Sequence, residues 1–189
     1  MVKKAIPTSI TLAIGDGAND VNMITEAHVG VGIKGVEGQQ AARAADYAIG
    51  EFKILKRLLF FHGRENYRRN AKLVLYNFYK NALLNFPNVW FGYFNYFSGQ
   101  EIYEQTGPLL FNLFFASVPI VVYALFDRET VDTVLLKNPK YYAIGLYNMI
   151  ASTFNFFLWL TWGVVFSLII SALTYDLLTK HLLLRLSVC

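Results

Sequence analysis

Long stretches without a charged residue constrain the fold of this chain more than any other feature. Residues 105–126 contain no Asp, Glu, Lys or Arg, and neither do residues 141–175. Residues 73–94 carry Lys80 as their only charge. A helix needs about 20 mostly apolar residues to cross a bilayer. The sequence therefore predicts a membrane region, 73–175, with three transmembrane helices at about 73–94, 108–126 and within 141–175. The alternative is a set of helices buried in a large soluble protein.

The positive charges beside these segments predict how the chain is oriented. Seven of the 17 Lys and Arg residues lie between positions 53 and 72, whereas loop 97–107 has two Glu and no Lys or Arg. Loop 127–140 again contains Lys and Arg, at Arg128, Lys137 and Lys140. Because Lys and Arg concentrate on the cytoplasmic side, we expect a cytoplasmic N-terminal part, an external first loop and a cytoplasmic second loop. The net charge of +4 then reflects a membrane flank, and no nucleic-acid partner is expected. Lys180 and Arg185 in the tail, 176–189, do not follow this rule, and we treat the tail as atypical.

The first 50 residues have a different pattern, in which short apolar runs alternate with glycine. We predict strands at 10–14, 29–33 and 47–49, with helices at about 21–26 and 39–45. Alternating strands and helices predict a parallel sheet. Fifty residues bury too little surface to fold alone, so this α/β segment is expected to be a piece of a larger domain. Residues 51–72 look like an amphipathic helix, which we predict to be a stalk continuous with the first span. The alternative is a surface helix that breaks at Gly63.

The main candidate for a functional site in the first 50 residues is the motif Gly15-Asp16-Gly17-Ala18-Asn19-Asp20. Asp16 follows an apolar strand, at the edge where ligands gather in open α/β sheets. Asp20 supplies a second carboxylate close by, and oxygen ligands beside a phosphate suit Mg²⁺. The sequence therefore predicts a magnesium and phosphate site. The alternative is an ordinary strand-to-helix turn in which Asn19 caps the helix.

Polar side chains in the first predicted span share one helix face. At 100° per residue they fall within an arc of about 140°, and a Lys inside a span is costly unless it faces protein or water. We interpret this face as a substrate path. The alternative is that the Asn side chains bond neighbouring helices and that Lys80 extends to the membrane surface. The residues are Asn77, Lys80, Asn81, Asn85 and Asn88.

Several segments resemble P-type ATPases. "TLAIGDGANDVNMITEAHVGVGIKGVEGQQA" resembles the hinge segment that closes their phosphorylation domain. "FKILKRLLFFHGRENYRR", "NFYKN", "FGYFNYFSGQ" and "LFNLFFASVPIVVYALFDRE" resemble the type IV subgroup, the phospholipid flippases. The resemblance covers about residues 10–170. It implies that the chain is a C-terminal-half fragment of such a protein.

The resemblance also implies a chemistry. It implies a haloacid-dehalogenase-like phosphorylation domain, ATP as substrate, an aspartyl-phosphate and lipid movement towards the cytoplasmic leaflet. Asp16 and Asp20 would hold Mg²⁺, and Asn19 and Asp20 would support the phosphate. Lys80, Asn81 and Asn112 would match positions linked to head-group transport. A multi-pass protein of the plasma, Golgi or endosomal membrane is implied, with a two-span accessory glycoprotein as partner.

The differences from the family leave alternatives open. The phosphorylated Asp of the family, in an Asp-Lys-Thr-Gly-Thr motif, does not occur in these 189 residues. We therefore expect the chain alone not to hydrolyse ATP, since the nucleophile is missing. A cation-pump fragment is a second hypothesis, although the first two predicted spans contain no Asp or Glu. A third is a non-catalytic three-span scaffold or regulator, or a pseudogene product.

Overall fold

The chain divides into two compact units. The structure, a computed structural model, describes residues 5–6, 8–35, 39–100, 102–104 and 106–186, with side chains to residue 180. One unit comprises residues up to Gly63 together with Leu135–Lys137. The other comprises Arg64–Val134 and the chain from Asn138 onwards.

The first unit contains a three-stranded parallel sheet in the order β1-β2-β3. Leu12 lies opposite Val29, and Val31 lies opposite Tyr47. The predicted alternation and parallel pairing are confirmed, although β1 begins two residues later than expected. The elements are β1 (Leu12–Gly15), a 3-10 turn (Ala18–Asp20), α1 (Val21–Glu26), β2 (Val29–Ile33), α2 (Gln40–Ala44) and β3 (Tyr47–Ile49).

Glycines in β2 allow the helices to pack directly on the strand. A Cβ added at Gly32 would lie 2.5 Å from the Ala41 carbonyl oxygen. A Cβ added at Gly30 would lie 2.6 Å from the Ile24 side chain. Because Val and Gly alternate in β2, the face of the strand that α1 and α2 contact carries only glycines. The small core of this unit includes Ala13, Ile24, Val31, Ala41 and Ile49.

The predicted stalk segment is helical but not one regular helix. A 3-10 turn (Phe52–Ile54) leads into α3 (Leu55–Arg57), and a π-helical stretch (Leu58–Gly63) leads into α4 (Arg64–Phe94). Residues 52–94 all lie in helical elements. The irregularity is a π-helical widening that ends at Gly63. Pro87 lies inside α4 without ending it.

Two helical segments of the second unit are long and apolar enough to cross a membrane. Within the described residues these are Thr106–Phe126 and Thr153–Lys180. The segment 73–94 is helical as part of α4, but its Asn residues and Lys80 make it too polar to qualify by composition. Two of the three predicted spans therefore have the required composition, and the last begins at Thr153. The elements after α4 are α5 (Thr106–Leu110), a π-helical turn (Phe111–Ala116), α6 (Ser117–Phe126), α7 (Asp132–Lys137), a 3-10 turn (Pro139–Tyr142), α8 (Ala143–Leu146) and α9 (Thr153–Leu186).

Helices α4 and α9 pack closely along their length. A Cβ added at Gly163 would lie 2.9 Å from the Tyr79 carbonyl oxygen, so the backbones meet there. Further along, the Trp90 indole N–H donates to Ser167 Oγ at 3.0 Å. Ser167 is fully buried. This contact leaves α4 with one side covered by α9.

Candidate functional site

The loop after β1 is held by Asp20. Its Oδ2 accepts the backbone N–H of Asp16 at 3.2 Å and that of Gly17 at 3.4 Å. A Cβ added at Gly15 would lie 2.3 Å from Asp20 Cβ, so Gly15 provides the space that the carboxylate needs. The Asp16 side chain is exposed and has no polar partner among the described residues. The loop therefore presents one free carboxylate and one that also organises the backbone.

These two carboxylates suit a metal ion whose remaining ligands are water and phosphate oxygens. No group of three or more His, Cys, Asp or Glu suited to a metal occurs within the described residues. Mg²⁺ is commonly bound through one or two carboxylates together with phosphate oxygens and water. Asn19 is exposed and its amide makes no hydrogen bond inside the described part of the chain. It is therefore not the helix cap of the alternative interpretation.

In the second unit, α4 runs antiparallel to the apolar segment Thr106–Phe126. Arg68 Nη1 donates to the Tyr123 hydroxyl at 3.1 Å, and the Tyr76 hydroxyl donates to the Ala116 carbonyl at 3.0 Å. The residue number on α4 rises from 68 to 76 between these two contacts, while that of its partner falls from 123 to 116. Further along, a cavity of about 430 Å³ is lined by residues of both, including Pro87 and Pro108.

This pairing brings Lys80 and Asn112 to a similar level. Lys80 lies one turn beyond Tyr76, and Asn112 lies about one turn before Ala116, in the same direction along the pair. Both side chains are half-buried. Lys80 has no polar partner among the described residues, and the Asn112 amide nitrogen donates to the Pro108 carbonyl at 3.0 Å.

The other asparagines of the polar face differ from one another. Asn77 is half-buried, whereas Asn81, Asn85 and Asn88 are exposed. Asn85 donates to the Asn81 carbonyl at 2.9 Å. The alternative interpretation predicts that this side chain bonds a neighbouring helix. Asn85 instead bonds its own helix.

A buried charge cluster at the start of α4 was not predicted. Glu65 receives Arg64 Nη1 on one carboxylate oxygen at 3.0 Å and Arg68 Nη2 on the other at 2.9 Å. All three residues are at most 5% exposed. Arg64 also pairs with Glu129 at 2.9 Å, and Arg68 pairs with Asp127. The cluster therefore ties the base of α4 to the connection that follows α6.

Hydrogen bonds favour the charged forms of Arg68 and Asp127 in this cluster. Burial acts to lower the pKa of the Arg68 guanidinium, but its bonds to Glu65 and Asp127 raise the pKa above its ordinary value. The bond from Arg68, followed by that from Tyr123, lowers the pKa of the Asp127 carboxyl. This arrangement could not be predicted from the sequence, because Arg68 and Asp127 are 59 residues apart. Each looked like an ordinary charge at a membrane flank.

Comparison with known proteins identifies a family. Residues 42–184 match the family model described as phospholipid-translocating P-type ATPase C-terminal. The chain is 47% identical over 175 residues to the phospholipid-transporting ATPase tat-1 of Caenorhabditis elegans, covering 93% of this chain and 15% of that protein. It is 45% identical over 170 residues to the phospholipid-transporting ATPase DRS2 of Saccharomyces cerevisiae, covering 90% and 12%.

A human relative gives the same result. The chain is 41% identical over 175 residues to the human phospholipid-transporting ATPase ID, covering 93% of this chain and 14% of that protein. The chain thus spans about one seventh of the length of these relatives. The match to the family model extends over most of the sequence and includes both apolar segments. The chain belongs to the phospholipid-translocating P-type ATPases, and it corresponds to part of their C-terminal region.

Proposed function

We propose that this chain is a fragment of an ATP-driven flippase that moves aminophospholipids from the outer or lumenal leaflet to the cytoplasmic leaflet. Family membership and the printed names of the relatives support the proposal. Because the chain spans 12–15% of those proteins, the activity belongs to the whole protein and this segment contributes to it.

In this proposal the first unit closes a haloacid-dehalogenase-like phosphorylation domain. Asp16 and Asp20 would hold Mg²⁺, while Asn19 and Asp20 would contact the phosphate. The free carboxylate of Asp16 and the Asp20-organised loop support this assignment. When bound, the metal would neutralise charge on phosphate oxygens, which usually has a large effect in phosphoryl transfer. ATP is the substrate whose phosphoryl group the full protein would transfer.

The second unit would form the start of a multi-pass membrane region. In this arrangement 73–94 is the first of three spans, tolerated despite its polarity because its polar face meets protein or water. The basic flank supports a cytoplasmic N-terminus. We further propose a two-span glycoprotein as accessory subunit, which co-purification from membranes would test.

The observation that carries the proposal is the common level of Lys80 and Asn112 on two antiparallel helices. A lysine without a polar partner among the described residues offers its charge to an anionic group. The amide oxygen of Asn112 offers an acceptor, and one N–H of the same amide donates to the Pro108 carbonyl. Together they suit a head group with both a negative and a hydrogen-bond-donating part, such as phosphatidylserine.

The proposal is tested by Lys80→Ala in a full-length protein that carries this segment. We expect the lipid concentration for half-maximal ATPase stimulation by phosphatidylserine to rise roughly 10- to 100-fold, as for loss of a charge-assisted hydrogen bond. Phosphoenzyme formation should persist, because the aspartate loop is unchanged. Lys140→Ala, which alters an exposed lysine in the 3-10 turn Pro139–Tyr142, is the control. Unchanged stimulation in Lys80→Ala would exclude Lys80 from the path.

A further inference from the structure

The segment that carries Asn112 is not an ordinary α-helix. Residues Phe111–Ala116 form a π-helical turn between α5 and α6. A π turn holds an extra residue, is rare, and is found frequently at functional sites. If it relaxed to regular α-helix, residues on one side of it would rotate by about 100° relative to the other side. The direction in which Asn112 points therefore depends on what maintains this turn.

Two side-chain hydroxyls hold the turn at its C-terminal end. Ser117 Oγ donates to the Asn112 backbone carbonyl at 2.6 Å. The Tyr76 hydroxyl of α4 donates to the Ala116 carbonyl at 3.0 Å. Ala116 is only 1% exposed, so the acceptor end of this bond is buried. One bond fixes the turn from within its own helix, and the other fixes it from the neighbouring helix.

A third bond fixes the Asn112 side chain itself. Its Nδ2 donates to the Pro108 carbonyl at 3.0 Å. The side-chain oxygen Oδ1 has no partner among the described residues. The turn therefore presents an unpaired acceptor oxygen to a ligand, beside the second N–H of the same amide. An acceptor of this kind binds N–H or O–H groups and gains nothing from a quaternary ammonium, which has no N–H.

We propose that Tyr76 and Ser117 are positioning residues that lock the π-helical turn and thereby aim Asn112 Oδ1 at the ammonium N–H of a lipid head group. The inference rests on the proposed lipid path and adds to it the residues that maintain selectivity. Tyr76 acts through Ala116, and Ser117 acts through the Asn112 carbonyl. Neither needs to touch the lipid.

The test uses a full-length protein carrying this segment, in vesicles that contain either phosphatidylethanolamine or phosphatidylcholine. The readout is the ratio of lipid-stimulated ATPase kcat/KM for the two lipids. Tyr76→Phe removes only the hydroxyl, and we expect it to lower this ratio by about tenfold, the effect of one hydrogen bond to a charged group. Tyr79→Phe is the matched control, since this tyrosine lies on the same helix and its hydroxyl makes no hydrogen bond within the described residues. Its ratio should equal that of the wild type.

A double-mutant cycle separates positioning from a general loss of structure. In an Asn112→Ala background, Tyr76→Phe should lower the ratio no further, because both changes act on the same acceptor. If Tyr76→Phe fails to reach the membrane, Ser117→Ala makes the same test and should give the same loss.

Three results would overturn the inference. These are a Tyr76→Phe ratio equal to that of Tyr79→Phe, an additive loss in the Asn112→Ala background, and a wild type that does not prefer the ethanolamine lipid. In the first two, lipid stimulation persists and the proposed function stands. The third would also contradict the aminophospholipid preference in the proposed function, while leaving a lipid-stimulated ATPase. A wild-type protein that no phospholipid stimulates would instead contradict the proposed function itself.

Discussion

Asp16 and Asp20 are carboxylates of the same loop, but the structure gives them different surroundings. Asp20 binds two backbone N–H groups, whereas Asp16 is exposed without a polar partner among the described residues. Replacing Asp16 therefore removes a charge from the site without removing a support of the loop. This difference makes Asp16 the sharper test of metal binding.

Asp16→Asn in a full-length protein should reduce phosphoenzyme turnover by at least about 100-fold, because a charged ligand at a phosphoryl-transfer site is lost. The measurement is Mg²⁺-dependent ATPase activity with protein expression held equal. Glu51→Gln changes an exposed carboxylate of the same unit, paired only with Lys53 at the surface, and should leave activity unchanged. Normal Mg²⁺ dependence in Asp16→Asn would remove the residue from the site.

Replacing Arg68 tests how much the buried ion pairs contribute to the free energy of unfolding. Arg68→Ala should lower the free energy of unfolding by about 3 kcal/mol, because it leaves a buried carboxylate with half of its partners. Arg69→Ala is the control, since Arg69 has no ion-pair partner in the described part of the chain, and it should cost less than about 1 kcal/mol. Unfolding of the purified chain in detergent, followed by tryptophan fluorescence, measures both. Equal losses would mean that the ion pairs contribute no stability of their own.

At the scale of elements, periodicity and glycine spacing were enough to predict the sheet. Helix α1 and strands β2 and β3 have the bounds expected from apolar runs between glycines. The two π-helical stretches were not predicted, because a single extra residue in a helix leaves no periodic signal in a short segment. The Tyr76 contact was missed for a related reason. Its partner is a backbone carbonyl 40 residues away, and the sequence marked Tyr76 only as an aromatic residue.

The glycine spacing of β2 leads to a prediction of its own. Gly32→Ala should destabilise the first unit by roughly 1–3 kcal/mol, since the added methyl would meet the backbone of α2, which has little freedom to move. Gly50→Ala is the matched control, because nothing lies within 4 Å of a Cβ at that position. Limited proteolysis of the full-length protein, with cleavage followed within the first unit, reports the difference. If both variants resist protease equally, β2 and α2 do not pack as described.

At the scale of the whole molecule, the orientation in the membrane remains a prediction from charge. Cys189 is the only cysteine, so a Cys189→Ser chain gives a clean background for labelling. We expect Ser98→Cys to react with an impermeant maleimide in intact cells that carry the chain at their surface. Lys137→Cys should react only after permeabilisation. The opposite pattern would reverse the orientation.

The buried charge cluster also has a consequence for how the chain is made. Arg68 is synthesised 59 residues before Asp127, and Arg64 is synthesised 65 residues before Glu129. At roughly 5–20 residues per second, the ribosome delivers Asp127 about 3–12 s after Arg68. During that interval water or lipid phosphate at the cytoplasmic surface can take the place of this partner, because Arg68 precedes the proposed first span, 73–94. The ion pairs between the base of α4 and the connection after α6 therefore form only once the segment Thr106–Phe126 has been made. The cluster is thus completed late in the synthesis of this segment.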